Sequence, residues 1–151
     1  MRHILLVALL VVGWSRPSLA TFEDGKQAYD RGDYTAAYHL WKVSAEDGDA
    51  RAQTNLGVLY ALGRGVKVDP RTAVAWYRRA AKQGFAKGQY NLGLAYRAGK
   101  GTPKDETKAA ALFGQAAEQG LASAQYMLGF SLLYGRGVER DPAHALQWYR
   151  R

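Results

Sequence analysis

The sequence predicts an all-α fold, an α-solenoid of antiparallel helix pairs with a 36-residue repeat, and three observations lead there. The first is internal repetition. Gln53, Gln89 and Gln125 stand 36 residues apart, and the same offset superposes Leu56, Leu92 and Leu128, then Gly57, Gly93 and Gly129, and then Tyr77, Phe113 and Tyr149. A fixed period of this size is the signature of stacked supersecondary units. The second is helical spacing of apolar residues within each period, such as Ala52, Leu56, Leu59 and Tyr60. The third is punctuation at constant places: a Gly-x-Gly turn at Gly63, Gly99 and Gly135, and an aspartate at Asp69, Asp105 and Asp141.

Each element can be justified in chain order. Arg2, the 11-residue apolar run Ile4 to Trp14 and the small residues of Ser18-Leu19-Ala20 read as an export signal over 1–20, cleaved after Ala20, the alternatives being an uncleaved anchor or a buried first helix. The run is well short of the roughly 20 residues that span a bilayer. Residues 21–49 read as an N-terminal capping helix pair, with helices at about 22–31 and 33–47. Its Asp33, Ala37 and Trp41 lie one period before Asp69, Ala73 and Tyr77.

Full units follow at 50–85 and 86–121, and a shorter one at 122–151. Their helices are expected at 50–62 with 69–83, 86–98 with 105–119, and 122–134 with 141–151. In the first helix of each pair, Gly57 costs up to about 1 kcal/mol relative to Ala, which implies close approach of the partner helix. The second helix opens on an N-cap aspartate. Asp69-Pro70 and Asp141-Pro142 add proline at the first helical position, where its missing N–H does no harm. Ala73, Trp76, Tyr77, Ala80 and Ala81 then form the expected buried stripe, and Gly84 ends the helix. A pair this short cannot bury its apolar face alone, so the units must stack.

Asn55-Leu56-Gly57-Val58-Leu59-Tyr60, Gly63-Arg64-Gly65-Val66, Asp69, Ala73, Trp76-Tyr77, Ala80-Ala81 and Gly84 together resemble the Sel1-like repeat, a relative of the tetratricopeptide repeat. The resemblance covers about residues 22–151 and implies an adaptor that assembles or regulates complexes. It also implies a periplasmic or cell-surface setting for members with export signals. Some cysteine-rich bacterial relatives are associated with binding or hydrolysing β-lactams; this chain has no cysteine.

Chemistry-bearing patterns are sparse. After the signal only His39 and His144 remain, about three units apart. Gly99-Lys100-Gly101-Thr102 lacks the spacing of a phosphate loop and occupies the place of Gly63-Arg64-Gly65, so it reads as a turn. Asp69, Asp105 and Asp141 read as caps. No catalytic, cofactor-binding or metal-binding residues are therefore assigned. The chain carries 21 basic and 13 acidic side chains; removing 1–20 leaves a basic excess, which reads first as a solvated face.

In tetratricopeptide-like stacks the first helices line the concave face. Places two, five, nine and twelve of those helices would then point into a groove: Arg51, Thr54, Val58 and Ala61; Lys87, Tyr90, Leu94 and Arg97; Ser123, Tyr126, Phe130 and Leu133. Of these, Lys87, Tyr90, Leu94, Arg97, Tyr126, Phe130 and Leu133 are the candidate protein-binding residues, because aromatics beside arginine have the composition of binding hot spots. The aromatics can equally serve interhelix packing. The expectation is a periplasmic or secreted adaptor for a protein or peptide partner, with no cofactor, no nucleic acid and no stable membrane insertion after signal cleavage. The alternative is an envelope enzyme or a saccharide-binding module.

Overall fold

The computed structural model describes residues 21–151, which form eight α-helices without a strand among the described residues. The export signal read over 1–20 lies outside them. The helices are α1 (Phe22–Asp30), α2 (Tyr34–Glu46), α3 (Ala50–Leu62), α4 (Pro70–Lys82), α5 (Ala86–Ala98), α6 (Glu106–Glu118), α7 (Ala122–Tyr134) and α8 (Pro142–Tyr149). Each packs on the next in the chain, and α3 also packs directly on α5. The first helices α3 and α5 therefore approach one another along the inner side of the stack.

The helix boundaries follow from local chemistry. The Asp69 carboxylate accepts hydrogen bonds from the backbone N–H groups of Arg71 and Thr72, Asp105 from that of Lys108, and Asp141 from that of His144. These satisfy donors that the first helical turn cannot satisfy itself. The first helices end where Gly63, Gly99 and Gly135 turn left-handed, with φ of 66 to 67°, a conformation that costs other residues a Cβ clash.

What draws two helices of a pair together is a glycine facing an aromatic ring. A Cβ on Gly57 would lie 2.5 Å from Tyr77 Cε1, and those on Gly93 and Gly129 would lie 2.7 Å from the rings of Phe113 and Tyr149. Gly25 meets Trp41 in the same manner, so the capping pair shares the device although its loop is shorter. Between units the second turn glycine does the work. Gly65 sits against the Tyr34 carbonyl, Gly101 against that of Pro70 and Gly137 against that of Glu106, each leaving no room for a side chain. The Gly99-Lys100-Gly101 segment is thus a stacking turn.

The glutamines that mark the repeat are structural ties. Gln83 Nε2 donates to Gln53 Oε1 at 2.9 Å, and one period later Gln119 Nε2 donates to Gln89 Oε1 at 2.8 Å. Gln53 Nε2 in turn donates to the carbonyl of Ala45 at 3.0 Å, binding the unit to the helix before it. Buried amides of this kind must be paired, and their pairing fixes the stacking register.

The core runs along the stack as a series of linked clusters of alanine, leucine and aromatic side chains, with Trp41, Leu56, Leu59 and Phe113 at most 2% exposed. One expectation needs correction. Trp76 was expected in the buried stripe, but it is only half-buried and carries the Arg79 guanidinium 4.5 Å above its ring. Tyr77, the next residue, takes the inward place. Adjacent residues on a helix point about 100° apart, so only one of the two can face Gly57.

Candidate protein-binding surface

The inner side of the stack is lined by α3, α5 and α7 and carries a series of hollows where one continuous groove was expected. The central hollow, about 290 Å³, runs across all three helices and is lined by Thr54, Asn55, Val58, Lys87, Tyr90, Asn91, Leu121 and Ser123. Its chemistry is mixed. Val58, Tyr90 and Leu121 supply apolar surface, while Lys87 and the two asparagines supply a charge and two amides. The Asn55 and Asn91 side chains are half-buried and make no hydrogen bond among the described residues.

The candidate residues divide between this hollow and its neighbours. Lys87 and Tyr90 share the central one, and Tyr90 also packs its ring 5.9 Å from that of buried Phe113. Leu94 and Arg97 meet in a second hollow of about 300 Å³ beside Tyr77, and Arg97 meets Phe130 in a third of about 290 Å³. Arg97 is exposed and its Nη1 lies 3.3 Å from Met127 Sδ. Tyr126 is 59% exposed with its ring 5.6 Å from Tyr149, and Leu133 packs against the cluster of Ala116, Ala117, Leu132 and Trp148; neither lines these three hollows.

A further opening was not foreseen. A cleft of about 470 Å³ lies between α1, α3 and the start of α5, walled by Phe22, Tyr29 and Phe85 and edged by Glu23, Lys26, Arg51 and Lys87. Arg51 is held firmly there. Its Nη2 donates to Asp49 Oδ2 at 2.7 Å, its guanidinium lies 4.3 Å from the Phe22 ring centre, and Glu23 Oε1 is 3.6 Å away. Burial acts to raise Asp49, but hydrogen bonds from the Arg51 side chain and from the Arg51 and Ala52 backbones outweigh it and hold the carboxyl below its ordinary range. For the central hollow, the signal in the sequence was the recurrence of Asn55 and Asn91 at place six of their helices, a place that a groove counted at two, five, nine and twelve leaves out.

The two histidines stand apart from this surface. His39 is exposed on α2 with its ring edge toward Tyr38, and His144 Nε2 accepts from Trp148 Nε1 at 3.1 Å.

The architecture and its glycine spacing coincide with a family model, the Sel1 repeat, which matches residues 19–49, 50–85, 86–121 and 122–151. The chain belongs to the Sel1 repeat family. Solved Sel1 proteins superpose along nearly the whole chain. A Sel1 repeat protein from Oxalobacter formigenes aligns with a TM-score of 0.83 and 35% identity over 89% of this chain and 53% of its own. The protein c5321, described as a protective antigen present in uropathogenic Escherichia coli strains, aligns with a TM-score of 0.79 and 40% identity over 85% of this chain and 28% of its own. The present chain thus spans about half the length of the first and under a third of the second. Helicobacter pylori cysteine rich protein B shares the fold at 23% identity and a TM-score of 0.56, over 69% of this chain and 94% of its own. No curated protein matched. Sel1 repeat proteins are generally protein-interaction modules, and the Sel1 solenoid is typically a non-catalytic scaffold.

Proposed function

We propose that this Sel1 chain is an adaptor, exported to the cell envelope, that binds an extended segment of a partner protein along the inner side of its first helices. The central hollow carries this reading. Half-buried amides one repeat apart, Asn55 and Asn91, each offer a donor and an acceptor, which is what a peptide backbone needs when it leaves water. Lys87 and Tyr90 between them supply charge and an apolar face. Tyr126 and Phe130 continue the apolar surface toward the end of the stack.

Affinity capture and crosslinking from envelope extract, read by mass spectrometry, identifies the partner, and variants then locate its site. Lys87→Ala/Tyr90→Ala and Tyr126→Ala/Phe130→Ala should each weaken capture with helical content unchanged, since hot-spot truncations cost about 2 kcal/mol or more. Gln147→Ala, exposed on α8, is the control. Normal capture by both double variants places recognition elsewhere. N-terminal sequencing of the fractionated protein tests export: a mature form beginning at Thr21 supports it, and a cytoplasmic product that keeps Met1 overturns it.

A further inference from the structure

On the outer side of the stack α4 presents a stripe of cations that the fold does not require. Arg71, Ala75, Arg78, Arg79 and Lys82 stand at i, i+4, i+7, i+8 and i+11, which puts them on one side of the helix, and all five are exposed. The same places one period away are filled differently. On α2 they include one cation, Lys42, together with Glu46, and on α6 they include no cation and Glu118. Packing therefore tolerates neutral or acidic residues there.

Local helix physics does not account for the stripe either. None of the four cations forms an ion pair among the described residues. Arg79 and Lys82 suit the negative end of the helix dipole, but Arg71 lies in the first turn, where the dipole opposes it, with the Asp69 cap nearby. Arg78 and Lys82 are like charges one turn apart, an arrangement that weakens a helix. Around them, Arg78 Nη2 lies 3.4 Å from the Tyr96 hydroxyl and Arg79 lies over Trp76, while the nearby Lys108 of α6 is already paired with Asp105 at 2.8 Å.

We propose that this stripe is a peripheral contact for an anionic lipid surface. The outer face of a solenoid meets a plane along a line, and the stripe is such a line, about 17 Å from Arg71 to Lys82 at 1.5 Å per residue. Guanidinium and ammonium groups form charge-assisted hydrogen bonds with phosphate oxygens. Small Ala75 in the middle lets the helix come close. No large apolar side chain belongs to the stripe, so the contact is electrostatic and sensitive to salt. The inference is independent of the peptide-binding reading, which concerns the opposite side of the stack.

Sedimentation of the full chain with vesicles tests it, using phosphatidylglycerol mixed with phosphatidylcholine against phosphatidylcholine alone, at low and high salt. The expected result is binding to the anionic vesicles that exceeds binding to neutral ones at low salt and disappears at high salt. Arg71→Gln/Arg78→Gln/Arg79→Gln/Lys82→Gln should reduce the anionic binding more than about tenfold, with helical content by circular dichroism unchanged. Lys67→Gln/Lys100→Gln, which removes two exposed turn cations, should leave it within about twofold. Equal binding to both vesicle types would assign the affinity to the apolar run Ile4 to Trp14 and overturn the proposal. So would full binding by the quadruple variant, an equal loss in the turn variant, or capture of soluble polyglutamate with no preference for anionic vesicles.

Discussion

The Tyr77 ring occupies the space that a side chain on Gly57 would need: a Cβ there would lie 2.5 Å from Tyr77 Cε1, 2.7 Å from Cδ1 and 3.1 Å from the Ala73 carbonyl oxygen. Tyr77 is 7% exposed and cannot swing away. Burial also pushes its hydroxyl up to about 12, in keeping with a ring enclosed by the helix pair. This one contact sets how closely α3 and α4 approach.

Gly57→Ala should therefore destabilise the chain. Alanine gains about 1 kcal/mol of helix propensity, but forcing a methyl into a filled site typically costs about 1–3 kcal/mol, so a net loss is expected. Gly114 is the matched control. It lies within α6, and a Cβ there would meet nothing within 4 Å. Gly114→Ala should raise stability by about 0.5–1 kcal/mol. Thermal melts of both proteins decide the matter, and a stabilised Gly57→Ala would mean that the two helices move apart without cost.

Chain ends leave a second signature. Leu146 is 49% exposed and Tyr149 40% exposed, whereas residues at the same places in earlier units, Val74 and Ala110 or Tyr77 and Phe113, are at most 7% exposed. No described helix covers α8 as α5 covers α4 and α7 covers α6. Extending the chain past Arg151 by residues that complete the last helix and supply a covering one should raise the melting temperature, because terminal repeats lack a stacking neighbour. Melting curves of the two lengths test this. Equal midpoints would show that the short helix already serves as a cap.

Acid should loosen the stack through its caps. Hydrogen bonds from the Thr72 side chain and backbone hold Asp69 below its ordinary value of 3.8, and the Lys108 side chain and backbone do the same for Asp105. A carboxyl whose folded value is depressed binds protons more readily when unfolded. Its contribution is thus complete above pH 3.8 and is lost as pH falls through the lower folded value. Melting temperature should be flat near neutrality and drop below about pH 4. In Asp69→Asn/Asp105→Asn, whose amides still cap, the drop should be smaller; an unchanged acid profile would remove the caps from the account.

Much of this protein is set by interactions that reach only a few residues along the chain. Asp69, Asp105 and Asp141 bond to amides two or three places ahead, and Gly63, Gly99 and Gly135 end helices by their own backbone angles. For that reason the helix boundaries, the 36-residue period and the solenoid class could be read from the sequence, with the last helix ending at Tyr149, two residues short of the expected 151. Gly57 was legible as a close approach because a costly residue in mid-helix requires compensation from outside. The identity of the compensating group was not, since Trp76 and Tyr77 are neighbours in sequence and only the lie of α4 against α3 decides that Tyr77 turns inward while Trp76 rests under Arg79. The inner surface shows the same division. Its expected place on first helices came from the resemblance to tetratricopeptide-like stacks, but the cleft between Phe22, Arg51 and Lys87 joins three helices whose mutual angles no single segment encodes. Contacts that span one unit or more depend on the summed tilt of the stack, and that tilt is a property of packed helices together.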